Sequence, residues 1–151
     1  MADSSAILNA LHGVASRLSD DSSERDVETA FLQEGFFTQL GYQGIGHDLR
    51  SEWKLPDDRR PDYATLNDNQ AVTAVYEFKN PGEDLSGHES QLFHYTKELK
   101  AEYGILLNGR EFRLFRRENG SHTRLVTLNL ADATQSDARE LSVLEKPTWD
   151  T

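Results

Sequence analysis

The first forty residues carry apolar side chains at helical spacing and predict two helices. One face of the first helix is formed by Ile7, Leu8, Leu11, Val14 and Leu18. Ser4 or Ser5 can cap this helix, and the polar residues 19–23 end it. The second helix is expected from about residue 24 to residue 40, with Ser22 or Ser23 as its cap, and Gly41 stops it. Its apolar coverage is wide, which is typical of a helix that packs on a sheet.

Beyond residue 46 the helical spacing gives way to alternation, which predicts strands. The predicted strands are residues 47–55, 61–66, 71–79, 103–107, 110–117 and 121–130. A helix at residues 86–101 separates the third strand from the fourth, and a last helix is expected at residues 131–144. Asn108-Gly109 is a dipeptide that favours a type I′ turn, and Asn119-Gly120 precedes the final strand. The order is therefore that of an α/β domain.

Two acids and a lysine lie where a predicted hairpin would bring them together. In the strand at residues 71–79, alternation places Glu77 and Lys79 on one face and Phe78 on the other. Asp62 begins the preceding strand, and residues 67–70 have turn chemistry, so an antiparallel pairing sets Asp62 beside Glu77. Hard divalent cations such as Mg²⁺ prefer carboxylates, water and phosphate oxygens. A neighbouring lysine can orient or deprotonate a metal-bound water.

These residues resemble the motif of the PD-(D/E)XK nuclease superfamily, here Pro61-Asp62 and Glu77-Phe78-Lys79. The features that follow are similar to the N-terminal nuclease domains of type I restriction enzyme R subunits and of single-chain restriction-modification proteins. They are Gln91-Leu92-Phe93-His94-Tyr95 on a predicted helix, the segment 103–109, and Phe112-Arg113-Leu114-Phe115. The resemblance covers roughly residues 26–115.

The resemblance implies a restriction-endonuclease-like α/β core, α-β-β-β-α-β, with a mixed central sheet flanked by helices. Residues 1–151 are expected to form a single domain, either a small complete protein or the N-terminal part of a longer restriction protein. The implied activity is Mg²⁺-dependent endonucleolytic hydrolysis of DNA in a restriction or phage-defence system, with Mn²⁺ as a substitute. The alternative is an inactive nuclease-fold module that binds nucleic acid or a protein partner.

Asp62 and Glu77 are the predicted metal ligands, with the backbone carbonyl of Phe78 as a third oxygen. Lys79 is expected to position or activate the attacking water. The alternative interpretation is structural: Asp62 stabilises a turn, and Glu77 pairs with Lys79 on a solvent-facing strand. An RNA or branched-DNA substrate would use the same metal chemistry.

Members of the superfamily commonly supply a further acid from the first core helix, and two residues compete for that role. Glu28 is favoured, because its distance from the helix end resembles the spacing in restriction-type members, whereas Glu34 falls within an apolar stretch of the helix surface. Gln91 and Tyr95 are four residues apart and share a helix face. Gln91 is expected to hydrogen-bond a phosphate or a metal-bound water beside Lys79, whereas Tyr95 is interpreted as structural.

The net charge of −10 argues against a domain that holds DNA by itself, because DNA affinity comes mainly from lysine and arginine. Seven of the eleven arginines are predicted to lie on or near the sheet: Arg59, Arg60, Arg110, Arg113, Arg116, Arg117 and Arg124. We therefore expect other domains or subunits of a restriction complex, such as motor, methyltransferase or specificity parts, to hold most of the DNA.

Cysteine is absent from the chain, which excludes disulfides and thiolate zinc sites and fits a reducing compartment. The five histidines show no metal-ligand spacing. No apolar run approaches the length of a membrane span, and the N-terminus lacks the features of a signal peptide. A cytoplasmic location without a membrane partner is the resulting prediction.

Overall fold

A mixed sheet forms the centre of the computed structural model, which describes residues 3–51 and 53–147. Within these residues it has six strands, and they follow chain order across the sheet. They are β1 (Leu49–Ser51), β2 (Tyr63–Leu66), β3 (Val72–Phe78), β4 (Tyr103–Leu107), β5 (Glu111–Glu118) and β6 (Ser121–Asn129). Neighbouring strands are antiparallel except β3 and β4, which are parallel. The predicted mixed sheet and order of elements are confirmed.

Helices cover both faces of this sheet. They are α1 (Ser4–Arg17), α2 (Glu24–Gln33), α3 (Phe36–Gln39), α4 (Glu89–Leu99) and α5 (Gln135–Glu140). Short 3-10 turns precede α4 at Leu85–His88 and follow α5 at Leu141–Leu144. The crossover from β3 through α4 to β4 explains why these two strands are parallel. No helix in the described ranges is both long and apolar enough to cross a membrane.

The helix ends differ in part from the predictions. Asp3, rather than a serine, caps α1 by accepting a hydrogen bond from the N–H of Ser5. Ser23 caps α2 as predicted and forms a capping box with Asp26. The expected single helix from residue 24 to residue 40 is wrong, because Gly35 has φ of 77° and divides it into α2 and α3.

The two Asn-Gly dipeptides form different turns. Asn119 and Gly120 both have positive φ, 49° and 85°, as a two-residue type I′ turn requires. At the other dipeptide only Gly109 has positive φ, so the predicted type I′ turn is wrong there. Instead, Oδ1 of Asn108 accepts hydrogen bonds from the N–H groups of Arg110 and Glu111. The side chain of Asn108 therefore organises a three-residue connection.

Alternation along β3 divides its side chains between two buried clusters. Ala74, Tyr76 and Phe78 face the cluster formed with α1, α2 and α3. Val75 faces the cluster formed with α4. Because Glu77 alternates with Tyr76 and Phe78, its side chain extends from the α4 face of the sheet. The fold thus places a carboxylate where a buried strand meets a helix.

The C-terminal segment is held against the β1 side of the sheet by a buried ion pair. Nζ of Lys146 lies 2.7 Å from Oδ2 of Asp48, which is 3% exposed. The N–H groups of Gln43 and Gly44 also donate to the Asp48 carboxylate. The backbone N–H of Lys146 donates to the carbonyl of Leu40. These bonds tie the end of the described chain to the loop before β1.

Candidate active site

The β2–β3 pairing brings Asp62 and Glu77 together as predicted. Tyr63 pairs with Tyr76, so the next residues outward along the two antiparallel strands are Asp62 and Glu77. The N–H of Asp62 donates to Oε1 of Glu77 at 2.8 Å. In return, the N–H of Phe78 donates to Oδ2 of Asp62 at 2.8 Å. Each carboxylate is therefore oriented by a backbone group of the other strand.

Asn67 builds the turn between β2 and β3 that sets this register. Oδ1 of Asn67 accepts hydrogen bonds from the N–H groups of Asn69 and Ala71. Gln70 takes the left-handed conformation, with φ of 64°. The register shifts after Thr65, which pairs with Ala74. Because a one-residue slip would reverse the face of every β3 side chain, this local chemistry determines where Glu77 points.

Burial and mutual repulsion disfavour the charged forms of both carboxyl groups. Glu77 is only 5% exposed, and Asp62 is half-buried. Burial raises the pKa of Asp62 to about 7, and the charges of Glu24 and Glu28 add to the effect. Burial, followed by the charge of Asp62, raises the pKa of Glu77 to about 8. A cation between the two groups would favour their charged forms.

Lys79 lies next to this pair on the predicted face of β3. Its Nζ is 3.9 Å from Oε2 of Glu77, and its side chain is 16% exposed. Its backbone N–H donates to the carbonyl of Leu107 on β4, which fixes the strand beneath it. A solvent-facing Glu77–Lys79 pair, the structural alternative, does not fit the burial of Glu77.

The structure separates the two candidate helix acids. The charge of Glu28 raises the pKa of Asp62, and its carboxylate hydrogen-bonds the hydroxyl of Tyr63. Glu34 instead forms an ion pair with Arg17 on α1. Of the two, the structure therefore brings only Glu28 close to the acid pair.

Glu24 was missed by the sequence analysis. It lies one helical turn before Glu28 on α2, and its charge raises the pKa of both Asp62 and Glu77. The four-residue spacing of the two glutamates could have indicated this shared face.

Gln91 is connected to the site through Tyr95. Nε2 of Gln91 donates to the hydroxyl of Tyr95 at 2.7 Å. Burial raises the pKa of Tyr95, and the nearby charges of Glu77 and Asp62 raise it further. The charges of the acid pair therefore reach the α4 residue that Gln91 contacts.

The oxygen atoms at this end of β3 fit a hard divalent cation. Among the described residues, no three His, Cys, Asp or Glu side chains form a metal-binding group. The available donors are the two carboxylates and a backbone oxygen. Because the N–H of Phe78 points to Asp62, the carbonyl of the same extended residue is directed to that side as well. Mg²⁺ is commonly held by one or two carboxylates and keeps several waters, so this donor set is sufficient.

Most of the predicted sheet arginines are bound to groups of the chain itself. Arg113 is 8% exposed and pairs with Glu89 at 2.8 Å and with Glu111. The other ion pairs of this kind are Arg59 with Asp57, Arg110 with Asp20, Arg116 with Glu102 and Glu118, and Arg124 with Glu89. Nε of Arg117 donates to the carbonyl of Ala101. These contacts reduce the positive surface that the arginine count had indicated.

Comparisons with known proteins agree with this fold. Residues 47–123 match the family described as type I restriction enzyme R protein N terminus, and the matched segment includes Asp62, Glu77, Lys79 and Gln91. The solved structure described as "cryoEM structure DrdV-DNA complex" is similar over 93% of this chain, with a TM-score of 0.62 and 20% identity. The chain spans 14% of the length of that protein chain. None of the curated proteins matches.

Proposed function

Because the chain belongs to the family of the type I restriction enzyme R protein N terminus, we propose that it is a Mg²⁺-dependent endonuclease domain. It would hydrolyse phosphodiester bonds in DNA as part of a restriction system. The observation that carries the proposal is the Asp62–Glu77 pair: a backbone N–H donates to each carboxylate, the pKa of each is raised, and Lys79 lies 3.9 Å from Glu77. The DNA bound to DrdV, the structurally similar protein, supports DNA as the substrate.

Asp62, Glu77 and the carbonyl of Phe78 would hold the metal, and Mn²⁺ would substitute for Mg²⁺. When bound, the metal supplies Lewis acidity toward the phosphate and lowers the pKa of a coordinated water. The hydrogen bonds from Asp62 and Phe78 N–H groups keep the two carboxylates oriented, which limits the rearrangement needed on binding.

The remaining predicted residues have supporting roles. Lys79 would orient the attacking water or offset charge on the phosphate, since its ammonium lies beside Glu77. Glu28 would add negative charge at the Asp62 side and keep the hydroxyl of Tyr63 in place. Gln91 would orient Tyr95 toward the acids and offer its amide oxygen to a water or phosphate.

DNA binding is proposed to depend largely on other domains or subunits. The net charge is −10, and Arg110, Arg113, Arg116 and Arg124 are paired with acids of the chain. The same observation favours the second candidate function, an inactive nuclease-fold module that binds a partner. A cleavage assay distinguishes the nuclease from the inactive binding module.

The test is cleavage of supercoiled and linear duplex DNA with Mg²⁺, Mn²⁺ or EDTA. Asp62→Asn and Glu77→Gln are expected to abolish cleavage, because each removes a metal-binding charge. Glu98→Gln, an exposed carboxylate on α4, is the matched control and should cut normally. Undiminished cleavage by Asp62→Asn would contradict the assignment of the site. Absence of cleavage with both metals would favour the binding module.

A further inference from the structure

Residues 55–59, which precede β2, form a closed turn that packs against α4. The N–H of Leu55 donates to the carbonyl of Arg59 at 2.8 Å, and the N–H of Asp58 donates to the carbonyl of Leu55 at 3.0 Å. Leu55 is buried in the cluster that contains Leu92 and Tyr95 of α4. The backbone that leads into Asp62 is thus packed against the helix that carries Gln91 and Tyr95.

A side-chain contact ties the same turn to α4. Nε2 of His94 lies 2.9 Å from Oδ2 of Asp57, and Oδ1 of Asp57 accepts from the N–H of Arg59 at 3.1 Å. The ring of His94 also contacts the ring of Tyr95, with centroids 6.0 Å apart. Asp57 therefore joins the end of the turn to α4.

This turn presents two arginines next to the candidate active site. Arg60 is exposed, and no hydrogen bond or ion pair joins it to another residue of the described chain. It is separated from Asp62 only by the buried Pro61. Arg59 ends the same turn, and its side chain is 52% exposed.

A phosphate that approached the acid pair would meet unfavourable charge from several carboxylates. The charges of Glu24 and Glu28 act on Asp62, and Glu24 also acts on Glu77. Lys79 is one cation that can offset them. The guanidinium of Arg59 has a weak competitor, since its Nε lies 3.5 Å from Oδ2 of Asp57, which His94 already contacts.

We propose that Arg59 and Arg60 bind the DNA phosphates adjacent to the scissile bond, with the Asp57–His94 contact holding their turn in position. The inference rests on the proposed nuclease function, because it is the Asp62–Glu77 pair that defines the scissile position. Guanidinium groups bind phosphate through paired N–H donors, and a turn fixed before binding loses little conformational entropy. The site is local and therefore compatible with the acidity of the rest of the chain.

The experiment measures duplex DNA binding by fluorescence anisotropy between about 50 and 200 mM salt, in an Asp62→Asn background that prevents cleavage. The plot of log affinity against log salt has a negative slope. Arg59→Ala and Arg60→Ala should each reduce the magnitude of this slope by about 1, and the double variant by about 2. The double variant should bind roughly tenfold more weakly at low salt. Arg60→Lys should keep most of the slope.

Arg139→Ala is the matched control, because Arg139 is an exposed arginine on α5, which contacts α1 and β6. Its slope should equal that of the parent. His94→Ala should weaken binding and leave the slope unchanged, since it releases the turn but removes no phosphate contact. If His94→Ala instead matched Arg139→Ala in affinity, the positioning role would be wrong.

Cleavage assays separate this inference from the proposed function. Reduced slopes for the arginine variants in a protein that never cuts would support the phosphate site and contradict the nuclease. Slopes equal to those of Arg139→Ala, in a protein that cuts DNA, would overturn the phosphate site and leave the nuclease standing. Absence of measurable DNA binding by the Asp62→Asn parent would also overturn the phosphate site.

Discussion

Asp48 and Glu77 are almost equally buried, 3% and 5% exposed, yet their surroundings shift the pKa of the two carboxyl groups in opposite directions. Burial alone would raise the pKa of Asp48, but Lys146 and the N–H groups of Gln43 and Gly44 outweigh it and lower the pKa. Glu77 receives one N–H from Asp62, lies 3.9 Å from Lys79 and has a second carboxyl group as its neighbour. Its pKa is raised.

The difference teaches that burial of an acid does not by itself indicate a functional site. A buried carboxylate with a full set of donors stabilises the fold in its charged form. A buried carboxylate with incomplete compensation is a candidate for binding something else, because perturbed groups of this kind are concentrated at functional sites. Glu77 meets that description and Asp48 does not.

The largest expected effect tests the compensated site. Lys146→Ala should lower the free energy of unfolding by about 3 kcal/mol, because it leaves the buried Asp48 carboxylate without its cation. Urea denaturation at pH 7 measures the change. Lys97→Ala removes an exposed lysine of α4 and serves as the control, with an expected change below about 0.5 kcal/mol. A loss as small as that of the control would mean that the ion pair contributes little.

Next in size is the loss of the cation beside Glu77. Lys79→Ala leaves both carboxylates in place, so metal binding should survive while cleavage falls roughly 100-fold or more. Single-turnover cleavage and calorimetric titration with Mn²⁺ measure the two properties separately. Cleavage at the wild-type rate would reduce Lys79 to a structural lysine of β3.

The two acid sites should control opposite limbs of the stability curve in metal-free protein. The raised pKa values of Asp62 and Glu77 favour folding below the unfolded-state value of about 4, and this advantage is lost as pH rises toward 8. The lowered pKa of Asp48 favours folding above about 4, and that contribution is lost as pH falls through the folded value.

Thermal unfolding measured across pH distinguishes the two limbs. Glu77→Gln should flatten the decline from acidic to alkaline pH, whereas Asp48→Asn should flatten the decline on the acid side. The comparison of the two sites would be contradicted if Glu77→Gln flattened the acid-side decline and Asp48→Asn the alkaline one. An unchanged curve for Glu77→Gln would contradict it as well.

The smallest expected effect is stabilisation by metal. At a concentration tenfold above its dissociation constant, Mg²⁺ or Mn²⁺ should add about 1.4 kcal/mol to the unfolding free energy. The melting temperature of the wild type should therefore rise, and Asp62→Ala should abolish the response. Asp48→Asn should retain it, because Asp48 belongs to the other site. Equal responses of the wild type and Asp62→Ala would place metal binding elsewhere.

The sequence by itself determined the order of elements, the β2–β3 hairpin and the proximity of Asp62, Glu77 and Lys79. These features follow from local rules, since alternation sets the face of each strand residue and the asparagine at position 67 builds its own turn. The same rules predicted Ser22 or Ser23 as the cap of α2, and Ser23 is the one used. They failed at Asn108-Gly109, where the Asn108 side chain bonds to the backbone of the next strand.

Only the tertiary structure decided how each charge is compensated. It brought Glu24 and Glu28, rather than Glu34, near the acid pair and paired sheet arginines with distant carboxylates. It also distinguished Asp48 from Glu77 through Lys146, which lies 98 residues from Asp48 along the chain. Such contacts join segments that no local pattern relates. The burial and charge of a site therefore emerge when the whole chain packs.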